Sequence, residues 1–426
     1  MGQRESHQSL TSKYGLDNMG LEVAIACLRK MFVIQGPQVP GFIRAVDNVL
    51  AKSALYAEVV EVKTGNRIGA HKAMVDAYDH LVGFMRSLEI ADLTASGTAI
   101  VIKHVIGDNV LRIGETLARG TFGKVLNGEL NGTPVVLKTP LNPTVLELRN
   151  FLEENLLHAL LFCFHDLICQ AAGVPDLPQF VPSLRLVSSL RVNNGPDTMI
   201  VVMNKLDGNA HRYAQDMAFA GNEDALFDML AQVAQLLYFM QKYVGFHHRD
   251  LHGGNIMFLR RPQKSVTRVF IPEVENYVLP SHADMFIADF GQCCVKFNCC
   301  NMPTGRVFPL EDPSGYYRIY DPKVAACGNN SHDLRMFMRN ILDTNTTMFF
   351  KVPQFIGYLR EKFVDTGVNH WHETYNMYGN DDPSFYPTTV LKDIRRLRHV
   401  TSGTSVTSAK IREKRNAKRD KIAAPY

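Results

Sequence analysis

The sequence predicts an α+β protein, and three observations carry that prediction. From Leu21 to about Leu88 the apolar residues keep a helical period, most clearly at Met74, Ala77, Tyr78, Leu81, Met85 and Leu88. From Ala99 the pattern becomes strand-like, through Ile100-Val-Ile102, Val110 to Leu117 and Val135-Val-Leu137. Helical periods then return at Phe227, Leu230, Val233, Leu237 and Met240, and again between Phe355 and Phe363. At 426 residues, with 46% hydrophobic and 21% charged residues, the chain is long enough for two to three domains with a real core.

Each element has its own signal. Gly36, Pro37, Pro40 and Gly41 break the first helical region into at least two helices ahead of the Met74–Leu88 stripe. No chemical motif falls in this region, which reads as a helical cap or partner-binding module, or as structural packing on the domain that follows. Val145 to Phe164 is helical, Pro175 to Pro182 is loop, and Met199 to Met203 has the pattern of a buried strand. A short strand, Ile256 to Leu259, leads into an extended insertion with basic residues and prolines before the apolar strand at Met285.

Composition bounds the function classes. No run of about 18 apolar residues is uninterrupted; the best, Leu156 to Val174, is broken by His158, His165 and Asp166, so no transmembrane segment is expected. No secretory leader is recognisable, which places the eight cysteines in a reducing intracellular compartment, cytoplasmic or nuclear, mostly as free thiols. The Asn-X-Thr matches at Asn131 and Asn345 then carry no glycosylation meaning. The whole chain has a net charge of +4, yet Lys392 to Lys421 alone holds eleven Lys or Arg against Asp393, Glu413 and Asp420. Beyond Leu397 the sequence is rich in Ser, Thr and Gly and then in Lys and Arg, as expected of a disordered basic tail that can address nucleic acid or an acidic membrane. The opening MGQRES matches the N-myristoylation pattern at Gly2 and Ser6.

The chemistry centres on Gly245 to Leu259, GFHHRDLHGGNIMFL, where Asp250 follows Arg249 and precedes Asn255 by five residues. One short loop can thereby bring a base to an attacking hydroxyl and an amide oxygen to a metal. Ala118-Arg-Gly-Thr-Phe-Gly-Lys-Val125 is a Gly-rich turn between two strands, where backbone amides can approach phosphate oxygens and Phe122 can close over them. Lys138 ends a short apolar strand and needs an anionic partner. Glu154 is chosen for its place beside an apolar helix face, over Glu147 and Glu153. Asp289 ends the apolar strand Met285-Phe-Ile-Ala-Asp-Phe-Gly291 and is the second metal-holding candidate. Cys293, Cys294, Cys299 and Cys300 lie close together, but neither pair has C-X2-C spacing; zinc, a redox-sensitive loop and plain thiols all remain open.

From about Val110 to about Leu342 the chain resembles the eukaryotic-type protein kinases, carrying six of their elements in order. The catalytic loop is similar to those of kinases of large DNA viruses and of haspin. The resemblance implies a two-lobed fold, with a helical region at 1–95, a β-rich N-lobe at 96–204, a mainly helical C-lobe at 205–398 and the tail at 399–426. Asn204 to Gly208 would be the hinge. ATP would lie against Gly120, Thr121, Phe122, Gly123, Val125, Lys138, Met203 and Asn204. Glu154 would orient Lys138, Asp250 would be the base, Asn255 and Asp289 would hold Mg2+, and Asp333 would buttress the catalytic loop. Four departures stand out. Ala118 replaces a glycine, His252 replaces the lysine that serine/threonine kinases use near the transferred phosphate, the Asn255–Asp289 insertion is long, and no Ala-Pro-Glu follows Asp-Phe-Gly. The expected activity is transfer to Ser or Thr of a protein substrate, since His248-Arg-Asp-Leu-His252 lacks the Arg/Ala pattern of tyrosine kinases. A small-molecule or lipid kinase and a pseudokinase scaffold are the rival readings. His252 and the missing Ala-Pro-Glu favour the first, and the complete set of catalytic residues opposes the second.

Overall fold

Buried Val135 and Leu137 alternate with half-buried Val136 and Lys138 along one strand, and this period of two decides which face of the larger sheet each side chain takes. The computed structural model describes residues 26–34, 36–62, 66–88, 91–92, 99–104, 107–120, 123–174, 177–191, 198–271, 273–297, 305–307, 330–344, 349–364 and 381–398. Over these residues the protein is α+β, with mainly antiparallel sheets and several helices. The chain divides into two units: Met1–Leu206, Phe239–Asp250 and Phe286–Asn329 form unit 1, and Asp207–Tyr238, Leu251–Met285 and Asn330–Tyr426 form unit 2.

Unit 1 is built on a seven-stranded sheet in the order β1-β6-β7-β5-β4-β3-β2. Its strands are β1 (Ala91–Asp92), β2 (Ala99–His104), β3 (Gly107–Arg119), β4 (Gly123–Leu130), β5 (Thr133–Pro140), β6 (Leu184–Arg191) and β7 (Thr198–Asn204). Leu111, Val135, Leu137, Leu186, Leu190, Ile200 and Val202 form its apolar core. Helices α1 (Val39–Val62) and α2 (Arg67–Ser87) precede the sheet, and the long α3 (Val145–Ala172) follows β5. The expected stripe on α2 is buried at Met74, Ala77, Tyr78, Leu81 and Met85. A further helix at residues 26–31 is separated from α1 by the short turn at Gly36–Gln38, so two helices precede α2 as the glycines and prolines imply; Pro40 and Gly41 themselves sit in the first turn of α1, where a proline costs no hydrogen bond.

Helix α3 starts on Thr144, whose hydroxyl accepts from Glu147 N–H at 3.2 Å, and ends on Gly173 in the left-handed region at φ 67. It is the one described helix long and apolar enough to cross a membrane by composition, and most of it is buried, as in a core helix. Arg149 on α3 holds Asp79 on α2 through two bonds, at 2.8 and 3.0 Å, and Ser189 on β6 donates to the Met85 carbonyl at 2.9 Å. The N-terminal helices are therefore packed onto the sheet unit. A further tie corrects the expectation of mostly free thiols. Cys27 and Cys163 form a disulfide across 136 residues, Cys294 is also disulfide-bonded, and Cys169 and Cys293 stand outside any disulfide. Partners so far apart in the chain leave no local spacing to read.

Unit 2 carries β8 (Gly208–Asn209), β9 (Ile256–Ile271) and β10 (Val274–Ile287) in the order β10-β9-β8, the last two residues of β10 belonging to unit 1. The insertion after Asn255 is thus a long β-hairpin and not an irregular stretch. Its signal was a strict alternation, with Thr267, Val269 and Ile271 and then Tyr277, Leu279, Ser281, Ala283 and Met285 all buried. The helices are α4 (Ala210–Phe219), α5 (Glu223–Val244, entering unit 1 at Phe239), α6 (His332–Thr344), α7 (Pro353–Val364) and α8 (Pro387–Arg398).

The hairpin is fastened to α5 by a buried polar network. Gln232 donates to Asp228 Oδ2 at 2.9 Å and to the Ala283 carbonyl at 2.8 Å, and its Oε1 accepts from Met285 N–H at 3.0 Å. Burial raises the Asp228 pKa from 3.8 to about 7, against the pull of Thr267, Ser281, Gln232 and Arg261. A carboxyl whose folded pKa is raised supports the fold when protonated, and that support is lost as pH climbs from about 4 to above 7. Asp228→Asn, which keeps the shape and cannot ionise, is therefore expected to be more stable than the parent at pH 8, by up to about 4 kcal/mol, and to match it at pH 4. Thermal melts at the two pH values check this; equal melting temperatures at pH 8 would refute it.

Candidate active site

Within unit 1 the register of the sheet builds one side of the site. The turn between β3 and β4 is closed by Gly120 N–H donating to the Gly123 carbonyl at 2.8 Å. Thr121 and Phe122 lie outside the described residues. Gly123 has a clear requirement for its missing side chain: a Cβ there would stand 2.9 Å from the Thr139 carbonyl and 3.9 Å from Lys138 Cε. Val125 is the register partner of Lys138 across β4 and β5, and Lys138 in turn pairs with Val201 on β7. Further along β7, Met203 pairs with Val136 and Asn204 with Val135. The Asn204 side chain accepts from Arg185 Nε at 2.7 Å, and its N–H donates to Ser183 at 3.0 Å. Since a Cβ at Gly123 must displace backbone, Gly123→Ala is expected to splay the turn and destabilise the chain by about 1–3 kcal/mol, a typical overpacking cost, which thermal melts check.

Lys138 turns away from the Val135–Leu137 core face and meets α3. Its Nζ lies 2.5 Å from Glu154 Oε1, with the two side chains only 23% and 15% exposed. Burial lowers the Lys138 pKa, but the carboxylates of Glu154 and Asp289 outweigh it and hold the ammonium above its ordinary value. For Glu154 burial dominates upward, Lys138 pulls down, and Asp289 adds to the rise; a backbone hydrogen bond from Phe290 favours the charged form. The other two acids have different work. Glu147 caps Asn142 N–H at 2.8 Å, and Glu153 is buried close enough to Tyr78 to raise its pKa, after burial itself.

Asp289 is exposed and has φ 66, in the left-handed region that side-chain-bearing residues rarely occupy. The next residue, Phe290, is buried among the rings of His158, His248 and Phe246, at centroid distances of 5.1, 6.2 and 6.3 Å. His158, one turn beyond Glu154 on α3, donates from Nε2 to the Pro182 carbonyl at 2.8 Å, and burial lowers its pKa to about 4. This neutral packing histidine was not singled out from the sequence, although its i+4 spacing from Glu154 was readable. His248 Nε2 donates to the Ala288 carbonyl at 2.9 Å, and its Nδ1 receives Asp250 N–H at 3.4 Å. The same imidazole thus touches the backbone next to both Asp250 and Asp289. Arg249, between His248 and Asp250, is the second residue here in the left-handed region, at φ 68. Strain at these two positions persists because Phe290 and His248 are locked by packing.

In unit 2, Asn255 is buried, and its N–H donates to the His252 carbonyl at 2.9 Å. Asp333 is fully buried in the first turn of α6. The anchor of the loop on α6 that sequence reading missed is Asn340, whose Oδ1 accepts from Gly253 N–H at 2.7 Å. The carboxylate of Asp289 and the amide oxygen of Asn255 are hard oxygen donors of the kind Mg2+ takes. Among the described residues no group of three or more His, Cys, Asp or Glu could hold a metal, and Cys294 is disulfide-bonded; Cys299 and Cys300 lie outside those residues.

No protein-family model matches the chain, and no curated protein matches it.

Proposed function

We propose that this chain is a two-lobed, ATP- and magnesium-dependent kinase that transfers the γ-phosphoryl group to Ser or Thr of a protein substrate. The observation that carries the reading is the Lys138–Glu154 pair at 2.5 Å, with Asp289 near enough to act on both pKa values. A buried ammonium under a Gly-rich turn, fixed by one carboxylate and felt by a second, is a site for polyphosphate. On this reading Lys138 binds the α/β-phosphates and Glu154 fixes its direction. Asp250 takes the proton from the substrate hydroxyl as its oxygen bonds to the γ-phosphorus, and the bond from phosphorus to the β–γ bridging oxygen breaks to release ADP. Magnesium, when bound, supplies charge neutralisation on the phosphates. On the same reading Met203 and Asn204, at the end of β7, lie against the base, and the turn from Gly120 to Gly123 covers the phosphates.

Incubation of the purified chain with γ-labelled ATP and a mixed panel of proteins and small alcohols tests the reading. Label on protein serine and threonine, including autophosphorylation, is the expected result. Label dominated by phosphotyrosine, or found only on small molecules, would overturn it.

A further inference from the structure

The turn from His252 to Asn255 presents three consecutive backbone N–H groups, and each has an acceptor. Gly253 donates to Asn340 Oδ1 at 2.7 Å, Gly254 to His252 Nδ1 at 3.0 Å, and Asn255 to the His252 carbonyl at 2.9 Å. In this turn His252 therefore serves as an acceptor through Nδ1. Only glycine allows the approach: a Cβ at Gly254 would stand 2.7 Å from His252 Cε1. A second layer holds the next residue. A Cβ at Gly253 would stand 2.8 Å from Cε1 of His211 on α4. The Thr344 hydroxyl donates to the Asn340 carbonyl at 2.7 Å and therefore accepts from His211 Nδ1–H at 3.1 Å. Helix α6 thus secures both Gly253, through Asn340, and the His211 ring that packs on it.

We infer that His252 is a positioning residue for Asn255, a hydrogen-bond acceptor that shapes the turn, rather than a weaker substitute for a cationic phosphate contact. What Asn255 does rests on the kinase reading; the turn does not. Lysine has three donors and no acceptor, so at this position it leaves Gly254 N–H without its partner. Asparagine can take over, because its Oδ1 accepts from the N–H two residues on in an Asx turn.

Three measurements on the full chain test the inference. Nitrogen NMR of histidine-labelled protein, under alkaline conditions, is expected to find His252 protonated on Nε2; a proton on Nδ1 would overturn the proposal with no reference to activity. Amide exchange at Gly254 is expected to speed up about tenfold in His252→Lys and His252→Phe, the loss of one hydrogen bond, and to return to the parent rate in His252→Asn. The magnesium concentration that half-saturates ATP binding should rise about tenfold in His252→Lys and be restored in His252→Asn. A lysine variant that exchanges slowly and binds magnesium-ATP as well as the parent overturns the inference. If the parent chain transfers no phosphoryl group, the kinase reading fails while tautomer and exchange still decide the turn.

Discussion

Asp250→Asn is expected to lower phosphoryl transfer by about 10²- to 10⁴-fold, the usual worth of a general base, while nucleotide binding stays near the parent value. The substitution is close to isosteric. Asp250 N–H keeps its contact with His248, and His248 keeps its bond to Ala288, so the segment leading to Asp289 is undisturbed. The phosphate contacts assigned to Lys138 and Gly123 are likewise untouched. What is removed is a lone pair able to take a proton, since an amide oxygen is a poor base. Single-turnover transfer from labelled ATP, with calorimetric nucleotide binding alongside, separates the two effects. A variant with near-parent turnover would sink the kinase reading; one that also loses nucleotide would place Asp250 in binding rather than chemistry.

Lys138→Met is expected to abolish measurable transfer and to destabilise unit 1 by about 3–5 kcal/mol, because it removes one partner of a buried ion pair. Glu154 would remain 15% exposed with its cation gone and Asp289 still repelling it. Folding loss and functional loss can be told apart with a second change. Lys138→Met combined with Glu154→Gln leaves no buried charge and is expected to recover most of the melting temperature, because the two residues are directly coupled. It should recover none of the phosphate affinity, because no ammonium is present. Thermal melts of the four proteins in the cycle, each with and without ATP, give the coupling directly. A double variant that melts like Lys138→Met would show that the pair is not the unit of stability, and one that still binds ATP normally would remove Lys138 from the site.

The sequence by itself determined what sits on contiguous residues. The order of His248, Asp250 and Asn255 lies on one short loop, the alternation at Val135–Lys138 decides the strand and its faces, and the stripe from Met74 to Met85 decides the buried side of α2. Such features are local, because a period of two or 3.6 residues is set by backbone geometry before any tertiary contact forms. The hairpin of β9 and β10 was written in the same way and was obscured by its basic residues and Pro262.

Only the tertiary structure decided which distant residues meet. Among Glu147, Glu153 and Glu154 the apolar face beside the last already favoured it in the sequence, and the docking of α3 against β5 is what brings Lys138 to it. The joining of Cys27 to Cys163, and of Arg149 to Asp79, turns the first helices into a packed part of unit 1, a role with no motif of its own. The use of His252 as an acceptor depends on the close approach of Gly254 and on Asn340, 87 residues beyond Gly253. Partners at such separations are chosen by how layers pack and which buried polar groups must be satisfied, and that choice is made by the whole fold at once.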